Sequence, residues 1–348
     1  MLAKKKNLIG GVLLLALMVL TMYHLLRGKQ LSQIFTILTQ VKLGWIFAGV
    51  ALMFVFVACE ASCTRFTLRY LGHDAGRLRC LGYAFVGFYF SSITPSSTGG
   101  QPAQIYYMSK DGIPAAHGTL SMLLDTACYQ VAILLCAGVA LLFRPGLLTA
   151  MGTGLGLLLI LGAAIMLVFT VAMLIFMFLP NAAKRLADRI LALLVRVRLV
   201  KDGERWRARL EHQMEEYHAG ADCILHNPIM TIRLLLITLF QLACQFAVPY
   251  TVYRALGLVG HGAFEIICAQ ALLTLAVSML PLPGAVGVTE GGFVRFFTVF
   301  FGTRLVTPAV LLSRGVSFYA FLALSALATL AVHLTTRRPL SAPDPSSP

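Results

Sequence analysis

Charged residues stand within or beside apolar stretches of the chain, and the ones of most interest are Asp125, Glu290, Arg295 and Arg314. On insertion scales a charged side chain at the centre of a bilayer costs about 2.5–3.5 kcal/mol, so each one needs a reason to be there. A buried carboxylate attracts a cation or an amine, and the planar fork of an arginine suits a phosphate. The pattern predicts a site for a charged ligand, with Glu290 as the strongest single candidate.

The two carboxylates also have structural explanations. Asp125 could pair with an arginine elsewhere in the bundle, which equally requires it to face inward. Glu290 could cap a helix that begins near Gly291, because a carboxylate is stabilising at a helix N-terminus.

Other polar residues in apolar stretches are expected to have structural roles. Arg65 and Arg69 follow the second apolar stretch and are predicted to reach the membrane interface, with Glu60 paired to one of them. Gln241 and Gln245 are four residues apart and are predicted to hydrogen-bond across helices rather than to a ligand.

Two segments, 91–106 and 280–293, place proline ahead of a Gly-Gly pair within apolar surroundings. Such broken backbone is tolerated at membrane depth only where it is buried in protein or lines a wet cavity. Paired breaks in the two halves of a chain indicate an internal repeat with the substrate site between its halves. Free N–H groups at a Gly-Gly turn suit an anion such as a lipid phosphate. The candidate ligand-binding residues are Ser96, Ser97, Thr98, Gly99, Gly100 and Gln101 in the first segment and Gly284, Gly287, Gly291 and Gly292 in the second.

No pattern for hydrolysis, metal binding or a nucleotide cofactor occurs. The eight cysteines include no CxxC pair, and the eight histidines are scattered without a nucleophile nearby. Neither a phosphate-binding P-loop nor a dinucleotide fingerprint is present. We therefore predict no catalytic residue, no metal and no cofactor, and we assign the cysteines to packing.

The elements that must position these residues are membrane-spanning helices. Hydrophobic residues make up 58% of the 348 residues and charged residues 12%, about half the share that a soluble domain carries. The predicted fold is an all-α polytopic membrane bundle of about eight spans. The continuous spans are predicted at 8–26, 44–63, 118–143, 152–179, 229–254, 264–282 and 308–334. Segment 80–110 is predicted to enter and leave on one side, and 283–303 to cross irregularly.

The formal net charge of +14 is carried largely by stretches between the spans. Segment 181–228 holds nine Lys or Arg and reads either as an amphipathic helix on the membrane surface or as a solvated helical hairpin. Its basic excess predicts a cytoplasmic location shared with both termini of a multi-pass protein in the bacterial cytoplasmic membrane. No basic and aromatic surface of the kind that binds nucleic acid occurs. Residues 1–338 form one membrane domain, and 339–348 is predicted to be a disordered tail.

The broken segments resemble a known family. The stretches 93–102 and 283–291 are similar to the two signature segments of the lysylphosphatidylglycerol synthase transmembrane family, flippase-like bacterial membrane proteins. The resemblance covers about residues 5–335. One departure is Ala285, which stands where a Pro-Gly-Gly-x-Gly pattern is common. In two-part members a separate soluble domain attaches lysine to phosphatidylglycerol.

The resemblance implies movement of a phospholipid or aminoacylated phospholipid between leaflets, with membrane phospholipid and its anionic headgroups as partners. One alternative is a phosphatidylglycerol lysyltransferase, or a membrane subunit of one, that depends on lysyl-tRNA and on a separate lipid-modifying enzyme. Another is a non-transporting scaffold for an envelope-lipid enzyme. Homo-oligomerisation is a further expectation that the residues leave open.

Overall fold

The computed structural model describes residues 16, 18–23, 27, 31–94, 97–178, 217, 219, 221–222, 224, 226–278, 280 and 282–336. Within these residues the secondary structure is helical, without strands. The helices are α1 (Leu31–Thr39), α2 (Leu43–Tyr70), α3 (Arg77–Ile93), α4 (Gly100–Lys110), α5 (Ala115–Phe143), α6 (Gly146–Phe178), α7 (Pro228–Phe246), α8 (Val248–Ala255), α9 (Ala263–Val277), α10 (Val288–Arg314) and α11 (Ala320–Thr335). The predictions for most of 181–228 and for the tail 339–348 lie outside the described residues.

Five of the described helical stretches are long and apolar enough to cross a bilayer: Leu43–Tyr70, Ala115–Phe143, Gly146–Ile175, Pro228–Ala255 and Pro283–Thr335. The predicted all-α membrane-spanning bundle is confirmed. Of the predicted first span, 8–26, residues 18–23 are described and are helical. The predicted span 229–254 corresponds to the stretch Pro228–Ala255, within which α7 ends at Phe246 and α8 begins at Val248.

The helices run alternately between two ends of the bundle. At one end, called here the Lys42 end, the Lys42 N–H donates to the Ala255 carbonyl oxygen at 3.0 Å, which joins the start of α2 to the end of α8. At the other, the Tyr70 end, Asn227 Nδ2 donates to the Tyr70 hydroxyl at 2.9 Å. α2 therefore runs antiparallel to the α7–α8 pair.

The first broken segment is the tip of a hairpin that opens at the Tyr70 end. α3 runs into the bundle as far as Ile93, the chain reverses before Gly100, and α4 packs back along α3. Arg79 Nη2 donates to Asp111 Oδ1 at 2.6 Å and to Thr336 Oγ1 at 2.6 Å, which ties both arms of the hairpin to the end of α11. The prediction that 80–110 enters and leaves on one side is confirmed by these contacts.

The second broken segment is the tip of another hairpin, which opens at the Lys42 end. α9 runs inward as far as Val277, the chain turns before Val288, and α10 returns as far as Phe301. There the Phe300 ring lies 5.0 Å from the ring of His261, which precedes α9. The prediction that 283–303 is an irregular crossing is wrong, because only the turn is irregular and the following helix returns to the end from which α9 started.

A final crossing follows the second hairpin. Gly302 adopts φ 68° and ψ 168°, a conformation that favours glycine and reverses the chain direction. The rest of α10 continues through a π-helical turn at Gly315–Tyr319 into α11 and ends beside Arg79 at the Tyr70 end. This crossing begins near residue 303, five residues before the predicted start at 308.

The two hairpin tips meet inside the bundle. At 1.5 Å per residue α3 is about 25 Å long and α9 about 22 Å, so each reaches most of the way through a hydrocarbon core of about 30 Å. α3 packs against the turn Pro283–Ala285, and Ile93, Val286 and Phe318 form a small buried cluster there. The two halves of the chain therefore contribute similar hairpins with opposite directions.

Close packing of α6 against α9 holds the second hairpin in place. A methyl group added at Gly162 of α6 would lie 2.5 Å from the carbonyl oxygen of Leu275 in α9. No other atom lies within 4 Å of a methyl group added at Gly156, six residues earlier on the same helix. The backbones of α6 and α9 can approach so closely only because residue 162 is glycine.

The substitution Gly162→Ala should lower the Tm of the purified protein in detergent, because relief of the clash separates two helices and overpacking costs about 1–3 kcal/mol. Gly156→Ala is the matched control and should leave the Tm unchanged or raise it, since alanine favours a helix over glycine by about 0.5–1 kcal/mol. Equal Tm values for the two variants would contradict the proposed contact.

Candidate functional site

A cavity of about 430 Å³ lies in the middle of the bundle, between the two hairpin tips. Its wall includes Glu60 of α2 and Tyr129 of α5, each near the middle of its helix, and Gln241 in the second half of α7. The first hairpin tip lines the cavity through Ser97 and the second through Gly284. The volume is in the range of cavities that hold small ligands. The paired breaks thus line a cavity in the middle of the bundle, as the sequence predicts.

The cavity wall is unusually polar for the inside of a membrane bundle. Its polar side chains are the amides Gln101, Gln104, Gln130, Gln241, Gln245 and Gln270, the hydroxyls Ser91, Ser92, Ser97, Thr126, Tyr129, Thr238, Thr274, Ser278, Thr289, Ser313 and Ser317, the carboxylates Glu60 and Asp125, and the cation Arg314. Polar groups are costly at membrane depth and are retained there mainly for function. The wall can hydrogen-bond a ligand with several donors and acceptors.

Arg314 belongs to a buried ion pair with Glu290. Arg314 Nε lies 2.8 Å from Glu290 Oε1, and the side chains are 13% and 1% exposed. Arg314 Nη2 donates to the Gly284 carbonyl oxygen at 3.1 Å, and the guanidinium lies over the Phe318 ring at 4.2 Å. These contacts fix the guanidinium at the edge of the cavity.

Glu290 stabilises the second tip from behind the cavity wall. Its Oε2 accepts a hydrogen bond of 2.6 Å from the Gly287 N–H, and its Oε1 accepts one of 3.2 Å from the Tyr319 hydroxyl. Helix α10 begins at Val288, so the expected start near Gly291 is wrong and Glu290 lies in the first turn. Glu290 thus satisfies an N–H of broken backbone in a place where water is scarce.

A second charged group in the wall consists of Glu60 and Asp125. Glu60 Oε1 accepts a hydrogen bond of 3.5 Å from Gln104 Nε2, and Asp125 Oδ2 accepts one of 3.3 Å from the Thr64 hydroxyl. Thr64 lies one turn after Glu60 on α2, so the two carboxylates occupy neighbouring positions.

The expected pairing of Glu60 with an interfacial arginine is wrong. Arg65 Nε instead donates to the Ala75 carbonyl oxygen at 3.1 Å, and Arg69 lies 3.5 Å from Asp74 at the surface. Both arginines point toward the Tyr70 end, whereas Glu60 faces the cavity.

The structure divides the predicted site residues into groups. Ser97, Gln101, Asp125, Gly284 and Arg314 line the cavity. Gly99, Gly100, Gly287, Glu290, Gly291 and Gly292 belong to the tips or the helix starts behind them, outside the lining. Thr98 and Arg295 are exposed, and Ser96 lies outside the described residues.

Several cavity residues escaped the sequence analysis. Gln241 and Gln245 face the cavity, although the sequence suggested bonds across helices, and Gln270 joins them from α9. A usable signal was the concentration of glutamines within apolar stretches, since an amide at membrane depth needs an internal partner. Glu60 carried the same signal, because it lies inside the predicted second span.

The sequence comparisons agree with this architecture. The family described as "Lysylphosphatidylglycerol synthase TM region" matches residues 7–325. The chain belongs to this family. A relative named "UPF0104 membrane protein", from Archaeoglobus fulgidus, is 24% identical over 263 residues, which are 72% of this chain and 75% of the relative. The resemblance of the two broken segments to the lysylphosphatidylglycerol synthase transmembrane family is confirmed.

Ala285, which departs from the Pro-Gly-Gly-x-Gly pattern, adopts a backbone conformation that favours glycine. Ala285 has φ 49°, in the left-handed region, and so does Ser97 in the first tip with φ 55°. A non-glycine residue in that region costs roughly 1–2 kcal/mol. Each tip therefore holds one strained residue that also lines the cavity.

Replacing Ala285 by glycine should raise the Tm slightly, because relief of the left-handed strain exceeds the roughly 0.5–1 kcal/mol of added chain entropy. The control Ala328→Gly, within α11, should lower the Tm because no strain is relieved there. Thermal unfolding in detergent measures both, and an equal decrease in the two variants would contradict the strain at residue 285.

The buried pair predicts strong coupling between Glu290 and Arg314. Each single change, Glu290→Gln or Arg314→Gln, should lower the free energy of unfolding by about 3–5 kcal/mol, because it leaves a buried charge without its partner. The double variant should lose less than the sum of the singles. Asp74→Asn, which breaks the exposed pair with Arg69, is the control and should change stability little. Strict additivity in denaturant or thermal unfolding would contradict the coupling.

Proposed function

We propose that this protein moves a phospholipid across the membrane, with the headgroup passing through the central cavity. The observation that carries the proposal is a polar cavity at the midplane, bounded by the tips of two hairpins that enter from opposite ends. A headgroup needs such a path because its transfer through hydrocarbon would strip a charge of water. Family membership supports a lipid-related membrane role.

The lipid phosphate is assigned to the Arg314 side of the cavity. Nε donates to Glu290 and Nη2 to the Gly284 carbonyl oxygen, and these contacts hold the guanidinium at the cavity wall. Ser313 and Ser317 flank Arg314 on the same wall and carry hydroxyl donors. A guanidinium held in place by its own ion pair loses little entropy when it binds a phosphate oxygen.

The remainder of the headgroup is assigned to the amide-lined side. Gln245 Oε1 and Gln270 Oε1 are buried and have no hydrogen-bond partner among the described residues. An unpaired buried acceptor costs roughly 1–3 kcal/mol, which a hydroxyl or amine of a passing headgroup would recover. The amides therefore suit phosphatidylglycerol or its aminoacylated form.

The orientation follows from the charge distribution and is part of the proposal. α6 runs from the Lys42 end to the Tyr70 end, and α7 begins at the Tyr70 end, so segment 181–228 joins them there. Its nine Lys and Arg favour the cytoplasmic side of a bacterial membrane. The C-terminus follows α11 at the same end, and we place the N-terminus there as well.

The function is tested by transbilayer movement of fluorescent phosphatidylglycerol and lysyl-phosphatidylglycerol in proteoliposomes. The double variant Gln245→Leu/Gln270→Leu should move lipid at least about tenfold more slowly, because two headgroup partners worth roughly 1 kcal/mol each are removed. Its Tm should be equal to or above that of the wild type, since two unpaired buried acceptors disappear with the amides.

Gln40→Leu, a change at an exposed position outside the cavity, is the matched control and should move lipid at the wild-type rate. A double variant as active as the wild type would exclude the amide side from the path. Absence of protein-dependent movement of either lipid by folded wild-type protein would overturn the proposed function and favour a subunit that acts only with an enzyme partner.

A further inference from the structure

We propose that Glu60 and Asp125, with the carbonyl oxygen of Gln104, form a binding site for a sodium ion in the cavity wall. The ion would lie between α2, α4 and α5, whose side chains already contact one another there. This site is separate from the phosphate position at Arg314, and its existence does not depend on lipid movement.

The first argument is that Glu60 and Asp125, two neighbouring carboxyl groups in the cavity wall, have no cationic partner among the described residues. Each carboxylate has one side-chain hydrogen-bond donor, Gln104 Nε2 for Glu60 and the Thr64 hydroxyl for Asp125. No described Lys, Arg or His makes a salt bridge with either, and the cation of the cavity wall, Arg314, is bound to Glu290. Buried carboxylates are ordinarily paired or bound to a cation.

The second argument is that two of these side chains each have an oxygen without a hydrogen-bond partner. Asp125 Oδ1 and Gln104 Oε1 are inaccessible to water and make no hydrogen bond with any described residue. The Gln104 side chain is only 4% exposed, and both residues line the cavity. Carboxylate and amide oxygens are the ligands that hard cations prefer.

The size of the gap favours a small bare ion. A water-sized probe does not reach Asp125 Oδ1 or Gln104 Oε1, so in this conformation only a species smaller than water can contact them. A headgroup amine would need the helices to move apart, as it would to reach Gln245 Oε1 and Gln270 Oε1. A dehydrated sodium ion is smaller than a water molecule. Magnesium keeps several waters, for which a closed site has no room. The two carboxylates, one amide oxygen and the Thr64 hydroxyl offer at most six oxygens, the lower limit for calcium, so calcium is compared with sodium directly in the test.

The proposal is tested by thermal unfolding of the purified full chain in detergent, with NaCl exchanged for N-methylglucamine chloride at constant ionic strength. Sodium should raise the Tm of the wild type saturably by at least about 2 °C, because it binds only the folded state. Asp125→Asn and Glu60→Gln should abolish the shift, and the neutral side chains should leave the sodium-free Tm at or above that of the wild type.

The control is Glu265→Gln, which removes a carboxylate paired with His261 at the Lys42 end and should keep the full sodium shift. Radioactive sodium binding to the same samples reports the site even if one variant fails to fold, because the other still gives a loss of binding.

An equal shift with potassium, calcium or ethanolamine would overturn the assignment to sodium. An unchanged shift in both folded variants would overturn the site, and a stabilisation by acid alone would replace the ion with a proton.

Discussion

The scarcity of water inside the bilayer is the constraint on which this structure depends, and the Glu290–Arg314 pair shows how the constraint is met. At the second hairpin tip the carboxylate accepts the Gly287 N–H, and the guanidinium donates to the Gly284 carbonyl. The ion pair therefore replaces backbone partners that a continuous helix would have supplied. Without such replacement, a turn in the middle of the membrane would leave several polar groups unsatisfied, and the cavity beside it would lose its edge.

The first tip meets the same constraint by other means. Thr94 Oγ1 donates to the Phe90 carbonyl oxygen at 2.7 Å and accepts from the Gly99 N–H at 2.9 Å, so a single hydroxyl links both sides of the break. A methyl group at Gly100 would lie 2.1 Å from Ser91 Oγ, which shows how closely the two arms approach behind the tip. One hairpin thus uses a neutral hydroxyl and the other an ion pair. As a result, the cavity between the tips has a fixed cation, Arg314, only on the side of the second tip.

Much of the fold could be predicted from composition and spacing, because long apolar stretches must be helical in a membrane. The two breaks were also predictable, since proline and paired glycines cannot continue a helix well. The direction of the second hairpin was not predictable, because the reversal depends on the backbone of Gly302 and on the contact between His261 and Phe300. At the site, Asp125 and Arg314 could be found from charge alone. Which of Glu60 and Glu290 faces the cavity could not, because that depends on how the helices are rotated within the bundle.

Hairpins that enter from opposite ends are related by an approximate half-turn about an axis lying in the plane of the membrane. If the side chains are ignored, this symmetry gives every backbone conformation that is open toward one leaflet a counterpart that is open toward the other. The two conformations would have similar energies. A bias between the two has to come from groups that lack a symmetry mate, and the described residues offer Arg314 with Glu290 on one side and Glu60 with Asp125 on the other. Under the proposed function, the main chain gives the two leaflets similar access, and these few side chains set the preference between them.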